Sequence, residues 1–116
     1  MSTKIYHNPR CSKSRQTLEL LKENGVEAEI IEYLKVPPTA EELRLLLKLL
    51  GVAPLEILRH KEARFAELGL SRNDERDEAA WIDILVANPV LIERPIVVNG
   101  KRAAIGRPPE RVLNIL

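Results

Sequence analysis

The sequence predicts an α/β domain in which a strand–helix–strand unit and a strand–strand–helix unit flank a central block of helices. Three observations indicate this class. Runs of strand type occur only towards the two ends of the chain, the middle places apolar residues at helical spacing, and Asn99-Gly100 marks a hairpin near the C-terminus. The 116 residues are enough for one hydrophobic core. We therefore expect a single domain over residues 1–116.

The N-terminal unit is expected to hold a helix between two strands. A strand is predicted over Lys4–His7, because the Asn-Pro pair that follows disfavours a continuing helix or strand. Helical spacing starts at Ser12 and ends before Gly25, a residue type common at helix C-termini. A second strand is expected over Ala28–Leu34. Because a helical crossover joins parallel strands, these two strands should pair in parallel.

The central block, over about residues 39–88, predicts helices without a strand. Thr39 and Glu42 have the spacing of a capping box, and they precede a stripe of leucines that Gly51 ends. Three further helices are expected after it: a short one from Pro54 to near Arg59, another short one over Glu62–Leu68, and one from a start between Asp74 and Asp77 to Asn88-Pro89.

The C-terminal unit is expected to contain a hairpin and a closing helix. Pro95–Val98 predicts a strand, Asn99-Gly100 a type I′ turn, and Lys101–Ile105 the return strand. Pro108 and the residues after it open a helix that ends at Leu116. The complete order of β-α-β, helices and β-β-α is that of a thioredoxin-like fold with a central helical insertion.

The composition excludes several classes of function. A formal net charge of +1 argues against a nucleic-acid or membrane-surface binder. No apolar run has the roughly 20 residues of a membrane span, and the N-terminus leads into strand-like sequence rather than a signal peptide. A lone cysteine, Cys11, suits a reducing compartment, and only His7 and His60 accompany it as soft metal ligands. We therefore expect a cytoplasmic monomer without a metal or a bound cofactor.

Cys11 is the strongest candidate for a reactive residue. It lies at the predicted start of a helix, within a segment of 17 residues that contains no acid. The four cations of that segment are Lys4, Arg10, Lys13 and Arg15. Free amide groups at a helix N-terminus and nearby cations both stabilise an anion, so they lower the pKa of a thiol. The alternative, a small buried hydrophobic residue, is disfavoured by the polar neighbours of Cys11.

Two polar residues near Cys11 are candidates for tuning its thiolate. Ser14 stands where a Cys-x-x-Cys pair would place its second cysteine, so any redox cycle must use an external thiol. Ser14 either donates a hydrogen bond to the sulfur or caps the first helical turn. His7 either acts on the thiolate, as an imidazolium or by orienting it, or is satisfied by the backbone at its strand end. Thr17 occupies the position at which a phosphatase-type loop would carry arginine, and this argues against a tyrosine-phosphatase-like site.

Three arginines stand out by their positions. They are Arg59 at the end of a short predicted helix, Arg94 before a strand, and Arg107 before the closing helix. In thioredoxin-like folds the X-Pro bond at the Arg94 position is commonly cis and faces the cysteine of the first helix. Each arginine is either a solvated surface cation or a ligand. Together with an anion-ready cysteine they would form a cage of planar, forked donors for a tetrahedral oxyanion.

Segments along nearly the whole chain resemble the glutaredoxin-dependent arsenate reductase family. The first is His7–Arg15, which reads His-Asn-Pro-Arg-Cys-Ser-Lys-Ser-Arg and is followed by Thr17-Leu18. The others, in the family's order, are Tyr33-Leu34, Pro37-Pro38, Leu58-Arg59, Glu67–Leu70, Asn88-Pro89, Arg94–Val98 and Gly106–Glu110. The family has a thioredoxin-like core with a helical insertion, so the resemblance implies the same fold.

The resemblance also implies a specific chemistry. Cys11 would attack the arsenic(V) of arsenate, while Arg59, Arg94 and Arg107 would hold the oxyanion and its developing charge. Glutathione, as co-substrate, would attack the arsenic–cysteine adduct, glutaredoxin would clear the resulting mixed disulfide, and arsenite would be released. The two thiolate-tuning candidates, His7 and Ser14, also correspond to family positions that tune the cysteine.

Two departures from the family pattern leave room for two alternatives. Arg10 and Ser12-Lys13 flank the cysteine where well-known resistance enzymes of the family have a small residue and Gly-Thr. One alternative is a glutathione-linked thiol oxidoreductase on another substrate, which would not need the arginine cage. The other is a transcription regulator that binds RNA polymerase. Regulators of that kind typically carry Cys-x-x-Cys, which Cys11 and Ser14 do not match.

Overall fold

A computed structural model describes residues 2–116 of the chain. The chain forms two compact units. One contains the residues up to Val36 together with Arg94–Leu116, and the other contains Pro37–Glu93. Within residues 2–116, no helix combines the length and the apolar character that crossing a membrane requires.

The first unit is built on a four-stranded sheet. Its strands are β1 (Thr3–His7), β2 (Ala28–Glu32), β3 (Ile96–Asn99) and β4 (Arg102–Ile105), in the spatial order β2-β1-β3-β4. β1 and β2 are parallel, whereas β3 is antiparallel to both of its neighbours. This mixed sheet confirms the predicted α/β class of thioredoxin-like type and the parallel pairing of the first two strands.

Two helical segments accompany the sheet, α1 (Ser12–Glu23) and a closing 3-10 helix (Pro109–Ile115). They share one hydrophobic core with β1 and β3. The buried residues of this core are Ile5, Leu21, Val97, Val112 and Ile115. α1 ends where the sequence predicts, because Gly25 follows its C-cap with a φ of 73° that glycine adopts without steric cost.

The hairpin turn corrects the sequence prediction. Asn99 is still part of the β3–β4 ladder, so the two loop residues are Gly100 and Lys101. Gly100 has a φ of 61°, and no non-glycine residue of the described chain has a positive φ, so the turn is type II′ rather than type I′. The Asn99 side chain explains the shift. Its Oδ1 accepts from Thr3 Oγ1 at 3.1 Å and its Nδ2 donates to the Ile115 carbonyl at 2.7 Å, which holds Asn99 in the strand.

Two further elements of this unit differ from the predictions. β2 ends at Glu32 rather than Leu34, because the Glu32 carbonyl accepts the N–H groups of Lys35 at 2.9 Å and Val36 at 3.0 Å and the chain turns there. The closing segment is a 3-10 helix that ends at Ile115. Both differences concern the extent or type of an element, and neither changes the order of the fold.

The second unit contains three α-helices and two 3-10 helices. They are α2 (Ala40–Leu50), a 3-10 helix (Pro54–Ile57), α3 (Ala63–Glu67), α4 (Glu78–Ala87) and a second 3-10 helix (Pro89–Leu91). α2 begins with the predicted capping box, in which Thr39 and Glu42 each accept the backbone N–H of the other at 3.1 Å. Within this unit, the described residues make one isolated β-bridge, between Leu58 and Ile92.

Candidate active site

Cys11 lies at the N-cap of α1, directly after a tight turn that leaves β1. Its N–H donates to the Asn8 carbonyl at 3.0 Å, and the Asn8 side-chain oxygen accepts the Arg10 N–H at 3.0 Å. Asparagine favours such turns because its side chain bonds to the backbone two residues on. Cys11 as a whole residue is 9% exposed. The thiol is therefore buried at a helix N-terminus, where amide groups lack intrahelical partners and can stabilise an anion.

Arg107 connects the Cys11 sulfur to the entry of β3. Its Nη2 donates to Cys11 Sγ at 3.6 Å, and its Nε donates to the Arg94 carbonyl at 2.8 Å. β3 and β4 are antiparallel, so the chain that leads through Arg94 into β3 and the chain that leaves β4 towards Arg107 lie at one end of the sheet. Both X-Pro bonds that follow these arginines are cis. The structure thus brings together three of the predicted site residues, Cys11, Arg94 and Arg107.

The pKa of the Cys11 thiol is lowered from its usual value. Burial, the largest single influence, acts in the opposite direction and raises this pKa. The backbone N–H of Ser14, the charge of Arg94, the backbone N–H of Lys13 and the charge of Arg107 lower the pKa and together outweigh burial. The sequence predicts this direction. The arginines responsible, however, come from the distant end of the chain and not from the cationic segment around Cys11.

The Ser14 hydroxyl is hydrogen-bonded to His7 and to the backbone. Ser14 Oγ lies 2.7 Å from His7 Nδ1 and accepts the Asn8 N–H at 3.0 Å. The Ser14 side chain is fully buried, so this hydroxyl ties the end of β1 to the first turn of α1. The contact that Ser14 makes with the sulfur comes from its backbone N–H. The hydroxyl therefore follows neither sequence alternative, a bond to sulfur or a simple helix cap.

The pKa of His7 is lowered from its usual value of 6.5. Burial is the largest cause, because it disfavours the charged ring. Glu32, the partner of His7 in the parallel ladder, raises the pKa, and Arg15 lowers it. A neutral ring is therefore favoured at neutral pH, which argues against the imidazolium form. The influence of His7 on the cysteine stays a prediction that rests on its contact with Ser14.

Arg59, the third predicted anion ligand, belongs to the second unit. Its guanidinium forms an ion pair with Glu62, and its backbone N–H donates to the Leu91 carbonyl at 2.7 Å. An anion bound by Arg59 would have to compete with the Glu62 carboxylate for the guanidinium. The role of Arg59 as a ligand stays a prediction.

The sequence that builds this site matches a known family. The match to the ArsC family covers residues 6–115. The chain belongs to the ArsC family. The ArsC-family match includes the whole site: Cys11, Arg94, Arg107 and the hydrogen-bonded pair of Ser14 and His7.

Several relatives of this ArsC-family chain carry the name arsenate reductase. The arsenate reductase of Neisseria meningitidis serogroup B is 44% identical over 97% of this chain and 97% of its own length. The solved structure of an arsenate reductase from Vibrio cholerae is 45% identical, covers 100% of this chain and 98% of its own, and superposes with a TM-score of 0.95. The Escherichia coli K12 protein YfgD, described as uncharacterized, is 56% identical over 97% of this chain and 95% of its own length.

Two residues of this ArsC-family site have no role predicted from the sequence, although both lie in segments that resemble the family. Asn8 holds the turn before Cys11 through its carbonyl, its side-chain oxygen and its N–H. Its position before proline indicates the turn, but gives no sign that three bonds converge there. Gly106 is buried directly before Arg107, and its N–H donates to the Pro95 carbonyl at 2.9 Å. No local sequence signal distinguishes this glycine from a turn residue.

The donors that face the Cys11 sulfur define what the site can bind. They are guanidinium and backbone N–H groups, which together bind anions. Residues 2–116 contain no group of three or more His, Cys, Asp or Glu side chains placed to hold a metal ion. The arrangement therefore suits an anionic substrate that a thiolate can attack.

Proposed function

We propose that this ArsC-family chain reduces arsenate to arsenite, with Cys11 as the nucleophile and glutathione and glutaredoxin as the source of electrons. The observation that carries the proposal is the 3.6 Å contact between Arg107 Nη2 and Cys11 Sγ. The contact places a forked cation beside a thiol whose pKa is lowered. The lowered pKa favours the thiolate, which is the nucleophilic form, and the cation can bind an anionic electrophile next to it. The names of the relatives from N. meningitidis and V. cholerae support arsenate as that electrophile.

The first step forms a bond between sulfur and arsenic. Arsenate oxygens would bind the guanidinium groups of Arg94 and Arg107, which offset the charge that otherwise repels a thiolate. The Cys11 thiolate attacks arsenic(V), and one arsenate oxygen leaves as water after it is protonated. Arsenic keeps its oxidation state in this adduct. The arginines act in this step because negative charge builds up on the oxygens as the bond forms.

Reduction takes place in the second step. A glutathione thiolate attacks the Cys11 sulfur, a disulfide forms between the two sulfurs, and the electron pair of the sulfur–arsenic bond passes to arsenic. Arsenic(V) becomes arsenic(III) and leaves as arsenite. A glutaredoxin thiol then attacks the mixed disulfide, takes up the glutathione and releases Cys11 as a thiolate. Two thiols are thereby oxidised to one disulfide for each arsenate reduced.

The cysteine content of the chain supports the use of external thiols. Cys11 is the only cysteine, so the chain cannot close the redox cycle with an internal disulfide. The proposed cycle needs a compartment that supplies reduced thiols continuously. The cytoplasm meets this requirement, and we place the protein there.

Arsenite production from arsenate, with glutathione and glutaredoxin present, tests the proposal. The wild-type protein should turn over, Cys11→Ser should be inactive, and omission of either thiol component should stop turnover. If the wild type yields no arsenite while Cys11 is alkylated readily at neutral pH, arsenate is not the substrate, but the reactivity of the Cys11 thiol is supported. If Cys11 also resists alkylation, the proposal fails at its first step.

Arg94→Ala separates an arsenate reductase from a thiol oxidoreductase with another substrate. Removal of a donor that stabilises transition-state charge should reduce arsenate turnover by about 10²–10³. Glutathionylation of Cys11 by oxidised glutathione should fall much less, because that reaction places no oxyanion in the site. Arg102→Ala, which removes an exposed arginine of β4, serves as the control. Equal loss of both reactions in Arg94→Ala would contradict the oxyanion role of Arg94.

A further inference from the structure

Gly106 is buried where three segments of the first unit meet. These segments are α1 at Thr17, the entry to β3 at Pro95, and the exit from β4 that leads into Arg107. The Gly106 N–H donates to the Pro95 carbonyl at 2.9 Å. This bond joins the residues that follow β4, here called the β4 exit, to the residues that precede β3, the β3 entry. Each of the three segments leads to a residue of the site, because Cys11 is the N-cap of α1, Arg94 precedes Pro95, and Arg107 follows Gly106.

A side chain at position 106 has no room. A Cβ added to Gly106 would lie 2.6 Å from Thr17 Oγ1, 2.8 Å from Pro95 Cγ and 3.1 Å from Thr17 Cγ2. Non-bonded carbon atoms are at their optimum at about 3.5–4.0 Å, so both contacts to carbon are too short, and the contact to the Thr17 oxygen is shorter still. The φ of Gly106 is not in the positive range. Glycine is therefore required at this position by the space available and not by the backbone conformation.

The neighbours of Gly106 are held in place. Thr17 is fully buried, and its hydroxyl donates to the Lys13 carbonyl at 2.8 Å inside α1. Pro95 is also buried, and its ring has little freedom to rotate away. A methyl group at position 106 must therefore push the β4 exit and α1 apart. Because residue 107 follows directly and Cys11 is the N-cap of α1, we expect this movement to separate Arg107 from Cys11.

We propose that Gly106 is a positioning residue, whose missing side chain lets the β4 exit approach α1 closely enough for Arg107 to face the Cys11 sulfur. The consequence for arsenate turnover rests on the proposed function. The contact that Gly106 controls does not, because the 3.6 Å distance between Arg107 Nη2 and Cys11 Sγ joins two groups of the chain itself. The role of Gly106 can therefore be tested on the thiol alone.

The test measures the rate at which iodoacetamide alkylates Cys11 across a range of pH in the full chain. Iodoacetamide is uncharged, so the arginines affect its reaction through the thiolate population and not by attracting the reagent. Gly106→Ala should move the midpoint of the rate–pH profile to higher pH. Below the midpoint, the alkylation rate should fall about tenfold, as expected when one charge-assisted hydrogen bond to the sulfur is lost.

Val112→Ala is the matched control for loss of stability. Val112 is fully buried in the core of the same unit, and its truncation leaves a cavity in a cluster that does not include Cys11. This variant should unfold at a lower urea concentration than the wild type and keep the wild-type alkylation profile. A shift of the same size in Val112→Ala and Gly106→Ala would show that the alkylation profile reports general loosening, and it would overturn the proposal.

Thr17→Ala supplies a rescue, because it removes two of the three atoms that crowd position 106. Added to Gly106→Ala, it should recover most of the lost alkylation rate relative to Thr17→Ala alone. If Gly106→Ala does not fold, the double variant decides: recovery of the profile supports the proposal, and continued failure to fold overturns it. An unchanged profile in folded Gly106→Ala also overturns it. A shifted profile in a protein without arsenate turnover would keep the role of Gly106 and reject the proposed substrate.

Discussion

Arg107 donates from Nη2 to the Cys11 sulfur at 3.6 Å while its Nε is bonded to a backbone carbonyl at 2.8 Å. The second bond matters as much as the first. A guanidinium is a rigid plane, so fixing one edge on the Arg94 carbonyl also fixes where the other edge points. The position of the charge beside the thiolate is therefore set by the backbone at the entry of β3.

Arg107→Lys tests whether this fork, and not only the positive charge, stabilises the thiolate. A lysine ammonium carries all its donors on one nitrogen, so it cannot reach the Cys11 sulfur and the Arg94 carbonyl with the geometry of the planar fork. We expect a loss of roughly 1–2 kcal/mol of thiolate stabilisation, which raises the pKa of Cys11 and slows alkylation at neutral pH about tenfold. The measurement is the pH profile of alkylation by iodoacetamide. Arg111→Lys, at an exposed position of the closing 3-10 helix, should keep the wild-type profile. A wild-type alkylation profile in Arg107→Lys would show that a positive charge alone stabilises the thiolate and that the fork is not needed.

Ser14→Ala and Ser12→Ala form a matched pair within the first turn of α1. Ser14 is fully buried and its hydroxyl is bonded to His7 and Asn8, whereas Ser12 is exposed. Loss of the Ser14 hydroxyl leaves buried polar groups without partners, so the free energy of unfolding should fall by about 1–3 kcal/mol. Ser12→Ala should change it by less than about 0.5 kcal/mol. Urea unfolding measures both values.

Alkylation of the same two variants separates the hydroxyl of Ser14 from its backbone. The backbone N–H of Ser14 lowers the pKa of Cys11, and alanine keeps that N–H. We therefore expect the Ser14→Ala protein to retain most of its reactivity towards iodoacetamide at neutral pH. A large loss of reactivity without a loss of stability would show instead that the hydroxyl acts on the sulfur.

The sequence predicts well those features that depend on residues close to one another in the chain. The Thr39–Glu42 capping box forms because both partners lie within one helical turn. The position of Cys11 at a helix N-terminus follows from the turn and the helical spacing around it. The hairpin turn is different. Whether Asn99 sits in the loop or in the strand depends on Thr3 and Ile115, which are distant in sequence and hold its side chain.

The candidate site shows the same division. The resemblance to the family implies that Cys11, Arg94 and Arg107 share a site, but the sequence gives no means to know that the Arg107 guanidinium bonds to the Arg94 carbonyl. It also attributes the lowered pKa of Cys11 to the nearest cations, because contacts across the sheet end are invisible in the chain order. The need for glycine at position 106 depends likewise on two side chains that only the fold brings there.

The lowered pKa of Cys11 predicts that the thiolate stabilises the fold at alkaline pH. The unfolded chain has the usual thiol pKa of 9.0, and the folded protein has a lower one. The stabilisation is therefore fully present above pH 9.0 and is lost as the pH falls through the folded-state pKa. The difference in free energy of unfolding between wild type and Cys11→Ser should rise from neutral pH to pH 9.0, with a slope of at most about 1.4 kcal/mol per pH unit. A difference that is constant over this range would contradict the lowered pKa.

His7 predicts a loss of stability on the acid side. Its folded-state pKa lies below the value of 6.5 that applies to the unfolded chain, chiefly because the ring is buried. As the pH falls below 6.5, the unfolded chain takes up this proton first, so stability is lost until the pH passes the folded-state pKa. His7→Gln keeps a polar group near Ser14 and does not titrate. Its free energy of unfolding should therefore depend less on pH between 7 and 5 than that of the wild type. An unchanged pH dependence in His7→Gln would show that His7 is not the source of the loss of stability.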